Sequence, residues 1–192
     1  TSMYALVDRL NPEQFEAIAA QAYVEMLEEG FTRVGEFHYL HHANDGQSYS
    51  DVAEMSARIA AAADSTGIGL TLLPVLYCQG GFGAAPTVPS QRRFVTTLDA
   101  YQRLWDAARD ALAALPDGRL GVAPHSLRAV TPAQLAAVVQ LAGHAPIHIH
   151  AAEQRAEVDA CLAWSGQRPI EWLADHAPLD SRWCVVHATH MT

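Results

Sequence analysis

The sequence predicts an α/β fold, about five βα units of a partial (β/α)8 TIM-type barrel, and three observations carry that reading. Short apolar runs alternate with capped helical segments, no hairpin signal such as Asn-Gly joins neighbouring runs, and every run ends in polar residues able to do chemistry. Strands separated by helices need crossover connections, which produce a parallel sheet covered on both faces. Polar groups after every strand suit a barrel, because all its βα loops meet on one face. A doubly wound sheet would carry a glycine-rich phosphate turn, and neither G-x-G-x-x-G nor a P-loop occurs; Gly80-Gly81-Phe82-Gly83 reads as a mobile loop.

The first helix starts at Asn11 as N-cap with Pro12 behind it, and places Phe15, Ile18, Ala19, Ala22, Tyr23, Met26 and Leu27 on one face until Gly30 stops it. A strand follows over 32–37. A second helix is expected over 50–65, ending near Gly67, and 69–77 is a nearly continuous apolar strand. A long helix is expected over 90–115 and a strand over 119–124. The Thr131 cap and Pro132 open the next helix, and a strand covers 146–150. Helical stretches over 153–164 and 169–175 lead to the last strand, 183–187. A closed barrel needs eight strands and this reading finds five, so residues 1–192 are expected to be one segment of a catalytic barrel domain, with its first and last strands missing.

Composition removes several classes of function. An apolar share of 50% allows a real core, and a net charge of -9 without an Lys/Arg cluster argues against nucleic acid as partner. No apolar run approaches the roughly 20 residues of a spanning helix, and Thr1-Ser2-Met3-Tyr4 has no secretory character, so no membrane partner is expected. Cys78, Cys161 and Cys184 are odd in number and form no C-x-x-C, which argues against a disulfide framework or a thiolate zinc site and for a reduced, cytoplasmic setting. Ten histidines against twelve Lys+Arg direct the search to imidazole, the commonest metal ligand and the usual proton carrier near neutral pH.

His148 and His150, two apart in a strand, share one face, and Glu153 follows where the strand has turned into a helix. One metal ligand beside one proton carrier is what metal-assisted hydrolysis requires. The alternative for an isolated H-x-x-E is a locally bonded histidine and a first-turn glutamate favoured by the helix dipole; its place among four other polar strand ends favours chemistry. His187 ends the next strand and can act on water in the same mouth. Arg128, a planar fork in a strand-end loop, suits a carboxylate, with a plain surface arginine as the alternative. His125 follows Pro124 at a strand end. Tyr39, His41 and His42 form a polar aromatic cluster in the first loop, of which one residue is expected to touch substrate. His144, His176 and His190 receive no role.

Gly35-Glu36-Phe37-His38-Tyr39-Leu40-His41-His42, His125-Ser126-Leu127-Arg128, His148-Ile149-His150-Ala151-Ala152-Glu153-Gln154 and Val186-His187-Ala188-Thr189-His190 together resemble the formimidoylglutamate deiminases of the amidohydrolase superfamily. The resemblance covers essentially the whole chain in order. It implies a zinc enzyme of histidine breakdown that hydrolyses N-formimino-L-glutamate to N-formyl-L-glutamate and ammonia. Carried over, it makes His150 a zinc ligand, Glu153 and His187 catalytic groups, and Tyr39, His125 and Arg128 substrate-binding groups. The superfamily takes further ligands from an H-x-H after the first barrel strand and an Asp after the last. No H-x-H lies upstream of Asn11, so the chain alone is expected to be inactive and unstable. The expected partner is a small molecule bearing carboxylates, and the expected assembly a homodimer. Two rival functions stand: a zinc aminohydrolase of a purine, pyrimidine or triazine-like ring, and a metal-free α/β binding module.

Overall fold

In the computed structural model, which describes residues 2–191, contacts divide the chain into two compact units. The first takes residues up to 74 with 89–94 and 99–120; the second takes 75–88, 95–98 and the chain from 121 onward.

The first unit begins with α1 (Ser2–Val7) and α2 (Pro12–Glu28). The Asn11 side chain accepts from the Gln14 N–H at 2.8 Å, and the Gln14 side chain accepts from the Asn11 N–H at 3.2 Å. This reciprocal cap satisfies two of the donors that every helix start leaves open. Phe15, Ala19, Tyr23, Met26 and Leu27 pack into a core with Ile59, Ala62 and Ala63 of α3 (Glu54–Thr66), Leu70 and Leu72 of β2 (Gly69–Leu76), and Ala108 of α4 (Leu98–Ala111). Ile18 (51% exposed) and Ala22, expected on that face, sit at the edge of the stripe and point outward. β1 (Arg33–His38) pairs in parallel with β2, from Arg33 opposite Gly69 to His38 opposite Pro74; β3 (Gly118–Leu120) pairs in parallel with Leu70–Leu72 on β2's other edge.

Two expected helices in this unit change. α3 starts later than expected because Asp51 makes its own turn, its side chain accepting from the Ala53 N–H at 2.8 Å and its carbonyl from the Glu54 N–H at 3.1 Å. Instead of one helix over 90–115, a single 3-10 turn at Pro89–Gln91 is followed by a loop, and α4 begins only at Leu98. Arg93 explains the break. It is fully buried, and its guanidinium donates to the carbonyls of Val7, Leu10 and His42. Its own carbonyl accepts from the N–H groups of His41 and His42 at 3.0 and 3.1 Å. Long-range bonds therefore take over groups that a continuous helix would have used.

In the second unit Val75 and Leu76 of β2 pair with β4 (Ala123–Pro124). β5 (Ile147–Ala151) joins through the Val122–Ile147 and Ser126–His150 bridges, and pairs with β6 (Trp183–His187) from Ile147 opposite Trp183 to Ala151 opposite His187. All of these pairings are parallel. The strand expected over 119–124 is two short strands, β3 and β4, whose pairings flank Pro74 of β2, a residue with no N–H to give a ladder. α5 (Pro132–Ala142) carries a second reciprocal cap between Thr131 and Gln134; α6 (Arg155–Ser165) and α7 (Pro169–His176) complete the unit. Ile147, Ile149 and Ala151 are fully buried on one face of β5, which leaves His148 and His150 on the other. No helix among the described residues is long and apolar enough to cross a membrane.

Candidate active site

Three strand ends in the second unit bring imidazoles together. The His125 N–H, just past β4, donates to the Leu76 carbonyl at 3.0 Å, and the His150 N–H donates to the His125 carbonyl at 3.0 Å. These bonds hold the ends of β4 and β5 level. The His125 and His150 rings stack with centroids 5.3 Å apart and planes at 25°, and the His150 and His187 rings lie 5.1 Å apart. Tyr77 closes one end of the row, edge-on to His125 at 4.8 Å. Glu153 closes the other, its Oε1 3.9 Å from His187 Nε2.

The backbone here is held in a conformation it does not prefer. Ala152, His187 and Ala188 have φ of 54°, 69° and 51°, the left-handed region that costs a side-chain-bearing residue about 1–2 kcal/mol each. The Ala188 N–H donates to the Ala151 carbonyl at 3.0 Å and the His190 N–H to the Ala152 carbonyl at 2.9 Å, so the ends of β5 and β6 lock each other. Such overdetermined strain at two adjacent strand ends is where side chains are aimed rather than merely packed.

Burial favours the uncharged form of His125, His148 and His150. His125 is pushed down to about 3 by burial, then by His150 and Arg128. Burial, and secondly His187, lower His150; burial lowers His148. A neutral imidazole is the form that ligates a metal. The His125 shift also has a stability consequence with a definite sign. The unfolded chain protonates this ring near 6.5 and the folded chain only near 3, so the unfolded state binds more protons between those values. The folded protein is expected to lose stability steadily as pH falls from about 6.5 toward 3 and to show no contribution from His125 above that window. Urea midpoints measured against pH check this: His125→Asn should flatten the slope, and an unchanged slope would refute the assignment.

Arg128 lies in the loop after β4. Its carbonyl accepts from the Gln79 side chain at 3.2 Å, while its Nε is buried with no hydrogen-bond partner among the described residues. A cavity of about 180 Å³ is lined by Arg128, Glu153, Gln154, Ala156 and Glu157. The second unit therefore brings together five expected residues: His125, Arg128, His150, Glu153 and His187. Tyr39 belongs to the first unit, where its ring stands edge-on to Phe94 at 4.9 Å. His38 at the end of β1 and His41 and His42 just beyond it form their own edge-to-face cluster, with His38 held well below its ordinary pKa by burial. Sequence reasoning gave no role to Tyr77, Gln79 or Glu157. Tyr77 and Gln79 stand at a strand end and were findable by position; Glu157 lies inside a helix and was not.

Metal-binding capacity is partial. Among the described residues no group of three or more His, Cys, Asp or Glu is placed to hold a metal ion. What the second unit offers is an uncharged imidazole, His150, flanked by another imidazole and, next along the row, by a carboxyl group. That donor chemistry fits one ligand of a borderline-soft divalent ion such as zinc, with the others supplied from elsewhere.

Comparison with known proteins agrees with this architecture. The chain is 56% identical over 190 residues to formimidoylglutamate deiminase from Pseudomonas aeruginosa, covering 98% of this chain and 42% of that protein. A crystal structure of an amidohydrolase from Brucella melitensis matches with a TM-score of 0.98 and 55% identity, over 99% of this chain and 42% of that one. An adenosine deaminase from Xanthomonas campestris, solved with bound zinc, shares the fold at a TM-score of 0.68 and 23% identity, over 91% of this chain and 34% of that one. The chain thus spans less than half the length of these relatives. Residues 2–192 match the amidohydrolase family, and with that match running over nearly its whole length the chain belongs to the amidohydrolase family.

Proposed function

We propose that the chain is the middle segment of a (β/α)8 barrel whose parent protein is a zinc-dependent deiminase, hydrolysing the formimino C=N group of N-formimino-L-glutamate to N-formyl-L-glutamate and ammonia. The observation that carries this reading is the contiguous row His125, His150, His187, Glu153 at three adjacent strand ends. The 56% identity to a formimidoylglutamate deiminase supports the choice of substrate.

Each residue then has a task. His150 contributes one zinc ligand, and zinc, when bound, supplies the Lewis acidity that makes water a nucleophile near neutral pH. His187 orients the water and takes up its proton at Nε2. Glu153 delivers a proton from its carboxyl to the departing nitrogen. The imino nitrogen gains that proton as the water oxygen bonds to the formimino carbon; the remaining hydroxyl proton passes through Glu153 to the same nitrogen as the C–N bond breaks, and the proton held by His187 restores Glu153, so the nitrogen leaves as ammonia and not as the far poorer amide anion. His125, neutral at working pH, hydrogen-bonds substrate without contributing charge. Arg128 meets a substrate carboxylate with a guanidinium whose Nε has no hydrogen-bond partner among the described residues.

The test is a pair of assays on the full-length protein. Ammonia should be released from N-formimino-L-glutamate, and Arg128→Met should raise KM about 30-fold or more, the scale of losing one partner of a desolvated charge pair. Activity on a purine or triazine ring with none on formiminoglutamate, or an unchanged KM in the variant, would overturn the substrate assignment.

A further inference from the structure

α6 opens directly behind the proposed proton carrier, and Glu157, its third residue, is a buried carboxyl group (5% exposed) to which the proposed mechanism gives no part. Glu157 Oε2 accepts from the Glu153 N–H at 3.0 Å. Its Oε1 is buried with no hydrogen-bond partner among the described residues, and the residue lines the same cavity as Glu153 and Arg128. We infer that Glu157 is a positioning residue for the deamination step, fixing the backbone from which Glu153 presents its carboxyl to the departing nitrogen. The inference rests on the proton-carrier reading of Glu153.

Three features make the case. First, the usual device at a helix start is a glutamate at the third position reaching back to the N-cap N–H; here the N-cap is Gln154, and Glu157 reaches one residue further, to Glu153 itself. Second, the preceding residue, Ala152, holds a left-handed φ of 54° without being glycine, so the turn that aims Glu153 does not keep its shape unaided. It is held from outside on its two flanks, by the His190 N–H on the Ala152 carbonyl and by Glu157 on the Glu153 N–H. Third, burying a carboxyl group with one oxygen unsatisfied is unfavourable, and a helix cap alone could be made by an exposed side chain. That arrangement is explained when the oxygen's surroundings belong to a functional cavity.

The rival is ordinary helix capping, which would affect stability and not turnover. In the full-length enzyme Glu157→Gln keeps an acceptor oxygen at the same reach, whereas Glu157→Asp keeps the charge and shortens the arm. Asp and Ala at 157 are expected to lower kcat on N-formimino-L-glutamate about 10-fold or more, the scale of a small misplacement of a reacting group, with KM changed less than about twofold. Glu157→Gln should stay within about twofold of the parent kcat. Wild-type kcat in the Asp variant, a loss that Gln fails to recover, or a loss that follows the unfolded fraction in thermal melts would overturn the proposal; should Glu157→Ala fail to fold, the Asp–Gln pair decides alone. Glu153→Gln, run in parallel, separates the two levels. If it abolishes turnover while the 157 variants are unaffected, only the positioning role falls; if it leaves turnover intact, the proton-carrier reading falls and this inference with it.

Discussion

Glu153→Gln is expected to lower kcat of the full-length enzyme by about 10²–10⁴-fold, the contribution of a positioned acid or base to a proton-transfer step. The substitution keeps size, shape and a carbonyl oxygen, so the 3.9 Å approach to His187 can persist while the transferable proton is gone. KM should therefore change little, because the lost interaction matters only as the C–N bond breaks. Steady-state ammonia release gives kcat and KM together, and circular dichroism confirms the fold. A kcat within about threefold of the parent would remove Glu153 from the proton path.

Removing the metal is expected to have an even larger effect. Chelation of the full-length enzyme, or His150→Ala, should reduce turnover by about three orders of magnitude or more, since water without a Lewis acid has a pKa near 15.7 in place of about 7. Readdition of zinc should restore the chelated parent and not the variant. His150 lies between His125 and His187, and burial favours its uncharged form, so replacing it removes a ligand without removing a buried charge. Full activity after exhaustive dialysis against chelator, with no metal in elemental analysis, would overturn the metal-dependent reading and the ligand role of His150 with it.

What could be read in advance follows a physical division. Signals that act within a few residues were legible: the Asn11 and Thr131 caps, the Gly67 helix stop, and the 183–187 strand all stand where the sequence placed them. Groups aimed by strand ends were legible too, since His125, His150 and His187 needed only the two-residue period of a strand and its last residue. Where distant partners decide, local reading fails. The segment around Arg93 has helical periodicity, yet carbonyls at Val7, Leu10 and His42 claim its side chain and the amides of 41 and 42 claim its carbonyl. Tyr39 shares the strand-end position of the other candidates but lies in the first unit, and Glu157 looks like any charged residue one turn into a helix until its bond to Glu153 is seen.

On the proposed reading, the uncharged forms of His125 and His150 would also give the site a direction. With His125 and His150 uncharged, Arg128 is the cation among the described residues that line the cavity beside Glu153. A substrate with anionic groups at one end and an electrophilic carbon at the other then has one electrostatically favoured way round. Were the histidines protonated, the positive potential would spread along the whole row and the two orientations would compete. On the proposed reading, neutral His125 and His150 would sort productive from reversed encounters before any bond is made.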